Sequence, residues 1–209
     1  MKVLLVSATE MEILPFLETK KEIDVLITGV GMPAAIYHLT HTLNHQQFDL
    51  VIQAGIAGTF DAGPKLAQVV VVERDLFADI GIEENAQFKT IFETGLANKN
   101  IFPFEDGWLV NPNDILKTSA LDKVSAITIN TISDRVKQIE MFNKLYHADI
   151  ESMEGAALHY VCLHQKLAFL QLRSISNKVG IRDKSKWKIK EAVENLNHEL
   201  KNLVELLYG

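Results

Sequence analysis

A single cysteine, Cys162, in 209 residues excludes an intramolecular disulfide framework and suits a reducing compartment. It lies among Leu158, Val161 and Leu163, so it reads as a buried, inert thiol rather than a nucleophile. Long apolar runs are missing as well: no stretch reaches the roughly 18 residues that a membrane span needs. Met1-Lys2 runs straight into a strand pattern, which leaves no room for a signal peptide; the expectation is a cytoplasmic protein. Positive charge is in deficit. The net charge of −6 gives no support for a nucleic-acid or anionic-membrane partner. Basic residues do gather between Arg182 and Lys190, but Trp187 and Ile189 interrupt them at helical spacing, which suits a solvated helix face. Repeats and low-complexity linkers are absent. What is present, 47% hydrophobic and 23% charged, fits one domain over residues 1–209 with a sizeable core.

Apolar runs alternate with amphipathic ones. Strands are expected at Val3–Ser7, Asp24–Thr28, Leu50–Ala54, Val69–Glu73, Ser125–Ile132, Asp149–Ser152 and Ala168–Ile175. Several are continuous Val/Ile/Leu runs, the pattern of strands covered on both faces of a largely parallel sheet. Helices are expected at Pro33–His45, Pro112–Ser119, Ser133–Tyr146, Glu154–Gln165 and Asp183–Leu207. The last carries Ile189, Ala192, Val193, Leu196, Leu200, Leu203 and Leu207 on one face, with Asp183 or Ser185 as its cap. Asp79 to Trp108 has little periodicity and reads as a long excursion.

Several motifs fail on inspection. Gly29-Val30-Gly31-Met32-Pro33-Ala34 mimics a dinucleotide fingerprint, but the next strand ends in Gln53-Ala54-Gly55 without the required acidic residue. A tight turn that allows close backbone approach is the better reading, and no cofactor is expected. His38, His41 and His45 share a helix face without an acidic or thiol third ligand, so no metal site is assigned. Neither a Gly-x-Ser-x-Gly elbow nor a phosphate-binding Walker loop occurs.

Three strand ends remain decorated with polar groups: Glu10 and Glu12, Met153-Glu154, and Ser176-Asn177. Residues beyond the carboxyl ends of parallel strands converge on one crevice. Glu154 is placed on the first turn of a helix, where the dipole would keep it ionised. Gly55-Ile56-Ala57-Gly58 is expected to be a small-residue turn that lets a flat ligand approach the backbone. Two carboxylates, an amide and such a turn suit glycosyl transfer through an oxocarbenium-like state, with one carboxylate activating water.

Taken in order, these segments resemble the purine nucleoside phosphorylase and nucleosidase superfamily over nearly the whole chain. Ser7-Ala8-Thr9-Glu10-Met11-Glu12 is similar to the nucleosidase opening whose last Glu activates water. Gln53 to Gly58 resembles the base-site glycine segment, Ser152 to Ala157 the ribose-binding Met-Glu motif, and Arg173-Ser174-Ile175-Ser176-Asn177 the base-recognition strand end. The resemblance implies a single-domain, three-layer α/β/α nucleoside phosphorylase-like fold with a mixed central sheet, a nucleoside substrate, and a homodimer or larger homo-oligomer. It implies Glu12 as base for water, Glu154 on the ribose hydroxyls and Met153 under the sugar. Ser176 would orient the Asn177 segment, and Thr9 and Gly58 would line sugar and base.

Two departures narrow it. Similar phosphorylases carry phosphate-binding arginines near the first loop and just before the glycine segment; here no arginine precedes Arg74, and Gln53 holds the second place. Water is the expected nucleophile. Methylthioadenosine/S-adenosylhomocysteine nucleosidases carry Asp where this chain has Asn177, and an amide can hydrogen-bond but not protonate a leaving base. That suits a 6-oxopurine nucleoside, with an adenosine-type nucleosidase and a non-catalytic nucleoside-binding protein as alternatives. Phe102 to Trp108 and Ser176 to Lys188 resemble a nucleosidase whose 6-oxopurine substrate has an aromatic carboxylate at its 5′ side. Arg182, then Arg135, are the candidates to pair with that carboxylate.

Overall fold

The computed structural model describes residues 1–19, 23–85 and 87–208. The elements run β1 (Val3–Ser7), α1 (Glu10–Leu17), β2 (Asp24–Ile27), α2 (Met32–His45), β3 (Leu50–Thr59), β4 (Val69–Asp75), β5 (Gly81–Glu84), β6 (Gln87–Thr90), β7 (Leu109–Val110), α3 (Ile115–Thr118), β8 (Lys123–Thr128), α4 (Val136–Tyr146), β9 (Ile150–Ser152), α5 (Gly155–Gln165), β10 (Ala168–Lys178) and α6 (Ile189–Tyr208).

The main sheet is mixed. β2, β1 and β3 are parallel neighbours, and β3 also lies parallel to β10. From β10 the ladder continues antiparallel to β4, parallel to β8, parallel to β9, and antiparallel back to β3. β3 makes this closure possible by its length. Its first residues pair with β1, and Gly58 and Thr59 pair with Glu151 and Ile150 of β9. The closed part is filled by Ala57, Val70, Val72, Val124, Ala126, Ile150 and Ile175.

Alternation along the strands sends side chains to two helical layers. Val3 and Leu5 pack with Ile13 and Phe16 of α1 and Leu196, Leu200 and Val204 of α6. Leu4 and Val6 pack with Leu39 of α2 and Leu158, Val161 and Cys162 of α5. Burial there pushes the Cys162 thiol pKa up, as expected of an inert cysteine. No described helix is long and apolar enough to cross a membrane.

Several expected boundaries move. Gly55 to Gly58 is not a turn but the continuation of β3, and Ser176 and Asn177 lie inside β10 rather than after it. The segment expected to be helical from Asp183 begins with a short 3-10 turn, Lys184–Lys186, which Asp183 caps by accepting from Ser185 N at 3.1 Å. Trp187 is then extended and Lys188 N donates to Ser176 O at 2.8 Å, so α6 cannot start before Ile189. Pro112–Ser119 shortens to α3, and α4 begins after Arg135 instead of at Ser133. The excursion between Asp79 and Trp108 contains an exposed antiparallel ribbon, β5–β6. The eight-residue α1, with Pro15 inside it, was not anticipated.

Candidate active site

Glu12 leaves the first turn of α1 and is buried. Its Oε2 accepts from Thr9 N at 3.1 Å, Thr9 Oγ1 at 2.9 Å and Ser7 Oγ at 3.3 Å, and its Oε1 accepts from Ile56 N at 3.0 Å. The β1 end, the α1 N-terminus and the middle of β3 thus fix one carboxylate together. A Cβ on Gly55 would strike the Arg173 guanidinium and lie 3.0 Å from Glu12 Oε1. Gly55 is therefore the gap that lets the buried Arg173 guanidinium lie near the Glu12 carboxylate.

Glu154 is the residue before α5, not a member of its first turn, and its side chain does not cap that helix. Its Oε1 instead accepts from Gly31 N, at the start of α2, at 2.8 Å. Gly29 and Gly31 have φ of 79° and 96°, a backbone that favours glycine and turns this amide toward the carboxylate. Burial pushes the Glu154 pKa up, with Arg173 and the Gly31 amide opposing and Glu12 adding to the rise. The expectation that Glu154 sits on the first turn of α5 and is kept ionised by its dipole is corrected: Glu154 precedes the helix, and burial raises its pKa despite the opposing Arg173 and Gly31 amide. Arg173 Nη2 donates to Gln53 Oε1 at 2.7 Å, and Gln53 Nε2 donates to Glu154 O at 3.5 Å. The buried guanidinium, anchored by Gln53, lies near Glu12 and acts electrostatically on Glu154.

Asn177 lies four residues beyond Arg173 on β10, paired with Gly58 of β3. Ser176 Oγ donates to Asn177 Oδ1 at 2.8 Å, and Asn177 Nδ2 donates to Lys178 O at 3.0 Å. This sets the amide orientation and, among the described residues, leaves one N–H of Nδ2 without a partner. A Cβ on Gly58 would lie 3.4 Å from Nδ2. Met153 is half-buried just before Glu154, and Thr9 is half-buried beside Glu12. The two arginines offered for a 5′ carboxylate are exposed. Arg182 stacks over Trp187 at 5.3 Å and acts electrostatically on Glu151, and Arg135 precedes α4.

A cavity of about 920 Å³ opens beside Gly31, lined by Met32, Ile36, Tyr37, Phe77, Phe104 and Tyr160, with His41, Asn44 and Asn130 as polar members. It joins α2, α5 and the 79–108 excursion, and neither Arg135 nor Arg182 lines it. Arg173, Gly31 and the cavity were not singled out as site features from the sequence. A lone charge in the apolar run Ala168 to Ile175 was the available signal for Arg173.

A family model for the phosphorylase superfamily matches residues 12–208. The chain belongs to the phosphorylase superfamily. Within it, the chain is 28% identical over 182 residues to a futalosine hydrolase of Thermus thermophilus, covering 86% of this chain and 80% of that one. It is 26% identical over 195 residues to a Streptomyces coelicolor futalosine hydrolase, covering 88% and 79%. Among solved structures, a Helicobacter pylori methylthioadenosine nucleosidase variant with 5′-methylthioadenosine in its active site has TM-score 0.79 at 17% identity, covering 98% of both chains. The superfamily fold, with its mixed central sheet, is the one expected from the sequence.

Proposed function

We propose that this chain is a single-domain N-glycosyl hydrolase that cleaves futalosine, a nucleoside whose base is hypoxanthine, and so acts in an alternative route to menaquinone. The observation that carries the base assignment is the Ser176–Asn177 pair. With its oxygen held by Ser176 Oγ, the Asn177 amide turns an N–H outward, a donor for the O6 or N7 of a 6-oxopurine. Similarity to two futalosine hydrolases supports the same reading.

Glu12 takes a proton from water as the water oxygen bonds to C1′ and the bond to the base breaks. The base leaves as an anion steadied by the Asn177 N–H and takes a proton from solvent, Glu12 gives up its proton to solvent, and base and ribose product leave separately. Glu154 holds the 2′- and 3′-hydroxyls, which polarise as the ring becomes cationic. Met153 packs under the sugar, while Thr9 and Gly58 line sugar and base. Arg173 balances the two carboxylates. Already committed to Gln53 and its acidic neighbours, it is poorly placed to hold a phosphate dianion, and this favours hydrolysis over phosphorolysis. The apolar cavity beside Gly31 takes the aromatic 5′ group. Arg182, reached by a turn of the chain beyond Asn177, remains the candidate partner of its carboxylate. The enzyme works in the cytoplasm as a homo-oligomer, for which exposed Tyr37, Ile101 and Phe102 supply apolar surface.

The test is incubation of the purified protein with futalosine, inosine, methylthioadenosine and adenosine, with the free base followed by chromatography. Hypoxanthine release from futalosine is expected to be fastest. Preferential release of adenine would establish an adenosine-type nucleosidase, and binding without release a non-catalytic protein.

A further inference from the structure

Glu151 is a carboxylate in the middle of a fully buried strand: Ile150, Glu151 and Ser152 are all buried, and Glu151 is only 6% exposed. Its Oε1 accepts from Ser133 N at 3.2 Å; among the described residues its Oε2 makes no hydrogen bond within 3.5 Å, and the nearest donor acting on the carboxylate is the buried Ser133 hydroxyl, itself unpartnered. A buried carboxylate oxygen without a donor is costly and calls for a partner, of which a ligand is one kind.

The sheet says where this oxygen faces. Glu151 is directly opposite Gly58 in the β9–β3 pairing, and Gly58 is directly opposite Asn177 in the β3–β10 pairing. Side chains of paired residues point to the same face. Glu151, Gly58 and Asn177 therefore form one row on one face, and the middle member has no side chain. Two strand spacings, about 10 Å, separate the backbones of Glu151 and Asn177. The Asn177 amide leans toward the middle of the row, its Nδ2 3.4 Å and Val179 Cγ2 3.1 Å from where a Gly58 Cβ would stand, so a flat base stacked beyond them would meet the amide at one edge and Glu151 at the other. Other charged groups also bear on Glu151. Burial raises its pKa and Asp79 adds to the rise, while the Ser133 hydroxyl and amide and, more weakly, Arg182 lower it.

We propose that Glu151 is a specificity residue: its free oxygen accepts the N1–H of a 6-oxopurine, while Asn177 donates to the opposite edge. This rests on the reading of the crevice as a purine nucleosidase site. A 6-aminopurine presents an unprotonated N1 there, an acceptor facing a carboxylate, and is disfavoured. Discrimination of this kind comes from a buried polar group left unpaired by the wrong ligand.

Calorimetric binding of hypoxanthine, 1-methylhypoxanthine and adenine to the wild type and to Glu151→Gln tests the assignment. In the wild type, hypoxanthine should bind at least about 10-fold more tightly than its N1-methyl analogue, which lacks the donor. Glu151→Gln should shift the hypoxanthine-to-adenine preference by roughly 10- to 100-fold toward adenine. Equal binding of hypoxanthine and 1-methylhypoxanthine by the wild type, which needs no variant, would overturn the proposal. So would an equal loss of both bases in Glu151→Gln. Binding selectivity with no release of base from any nucleoside would sink the hydrolase reading and leave the role of Glu151 standing.

Discussion

Asn197 on α6 grips both ends of one turn of α1: its Nδ2 donates to Glu12 O at 2.8 Å and its Oδ1 accepts from Phe16 N at 2.9 Å. Asn197 is buried on α6 beside the leucines that pack with α1. Pro15 removes a backbone donor from this short helix, so an outside clamp on the backbone of Glu12 has structural value.

Asn197→Leu should fold, because Glu12 O and Phe16 N are the acceptor and donor of one helical rung and can satisfy each other. The clamp would be gone, and kcat should fall roughly 10-fold from misplacement of Glu12, with KM little changed. Loss of thermal stability with kcat unchanged would show that Asn197 serves only packing.

Glu12→Gln keeps the shape of the side chain and its acceptor oxygen but cannot take a proton from water. Turnover should fall by about 10²–10⁴-fold while substrate still binds, measured by single-turnover kinetics and calorimetry. Near-normal turnover would reject the assignment.

Glu154→Gln should lower kcat as well as affinity, because the charge matters most when the ribose is cationic. Burial raises the Glu154 pKa, so protonation on the acid side should remove activity above the usual carboxylate range, and kcat/KM should rise with pH through that limb. A variant that loses affinity alone would deny Glu154 a part in the transition state.

Asp75, fully buried between Thr128 and Gln171, has a pKa pushed up to about 6 by burial. The folded state thus holds its proton more tightly than the unfolded chain does. Stability is lost as pH rises from near 4 to 6, by up to about 3 kcal/mol. Denaturant midpoints of Asp75→Asn and the wild type should diverge in favour of Asn across that window. A difference independent of pH would contradict this.

The layers were legible because Val3 to Ser7 and Leu50 to Ala54 are unbroken apolar runs and α6 repeats its leucines at three and four. Glu12, Glu154 and Asn177 were legible because polar groups at strand ends stand out against such runs. Gly55 to Gly58 was misread as a turn because small residues usually mark one. Here they keep a strand free of side chains so that Arg173 and Asn177 can approach. Glu151 was passed over because its neighbour Glu154 sits at a more familiar place, and its row with Gly58 and Asn177 exists only once β9, β3 and β10 are paired. The ribbon β5–β6 is mostly exposed on both faces and so carries no hydrophobic period to read.

Hydrolysis of futalosine by the wild-type protein in phosphate-free buffer tests the central claim most directly. The account predicts one hypoxanthine and one free ribose product per futalosine, at a rate that added phosphate does not raise. Release that depends on phosphate, or adenine release from methylthioadenosine with futalosine left intact, would contradict it.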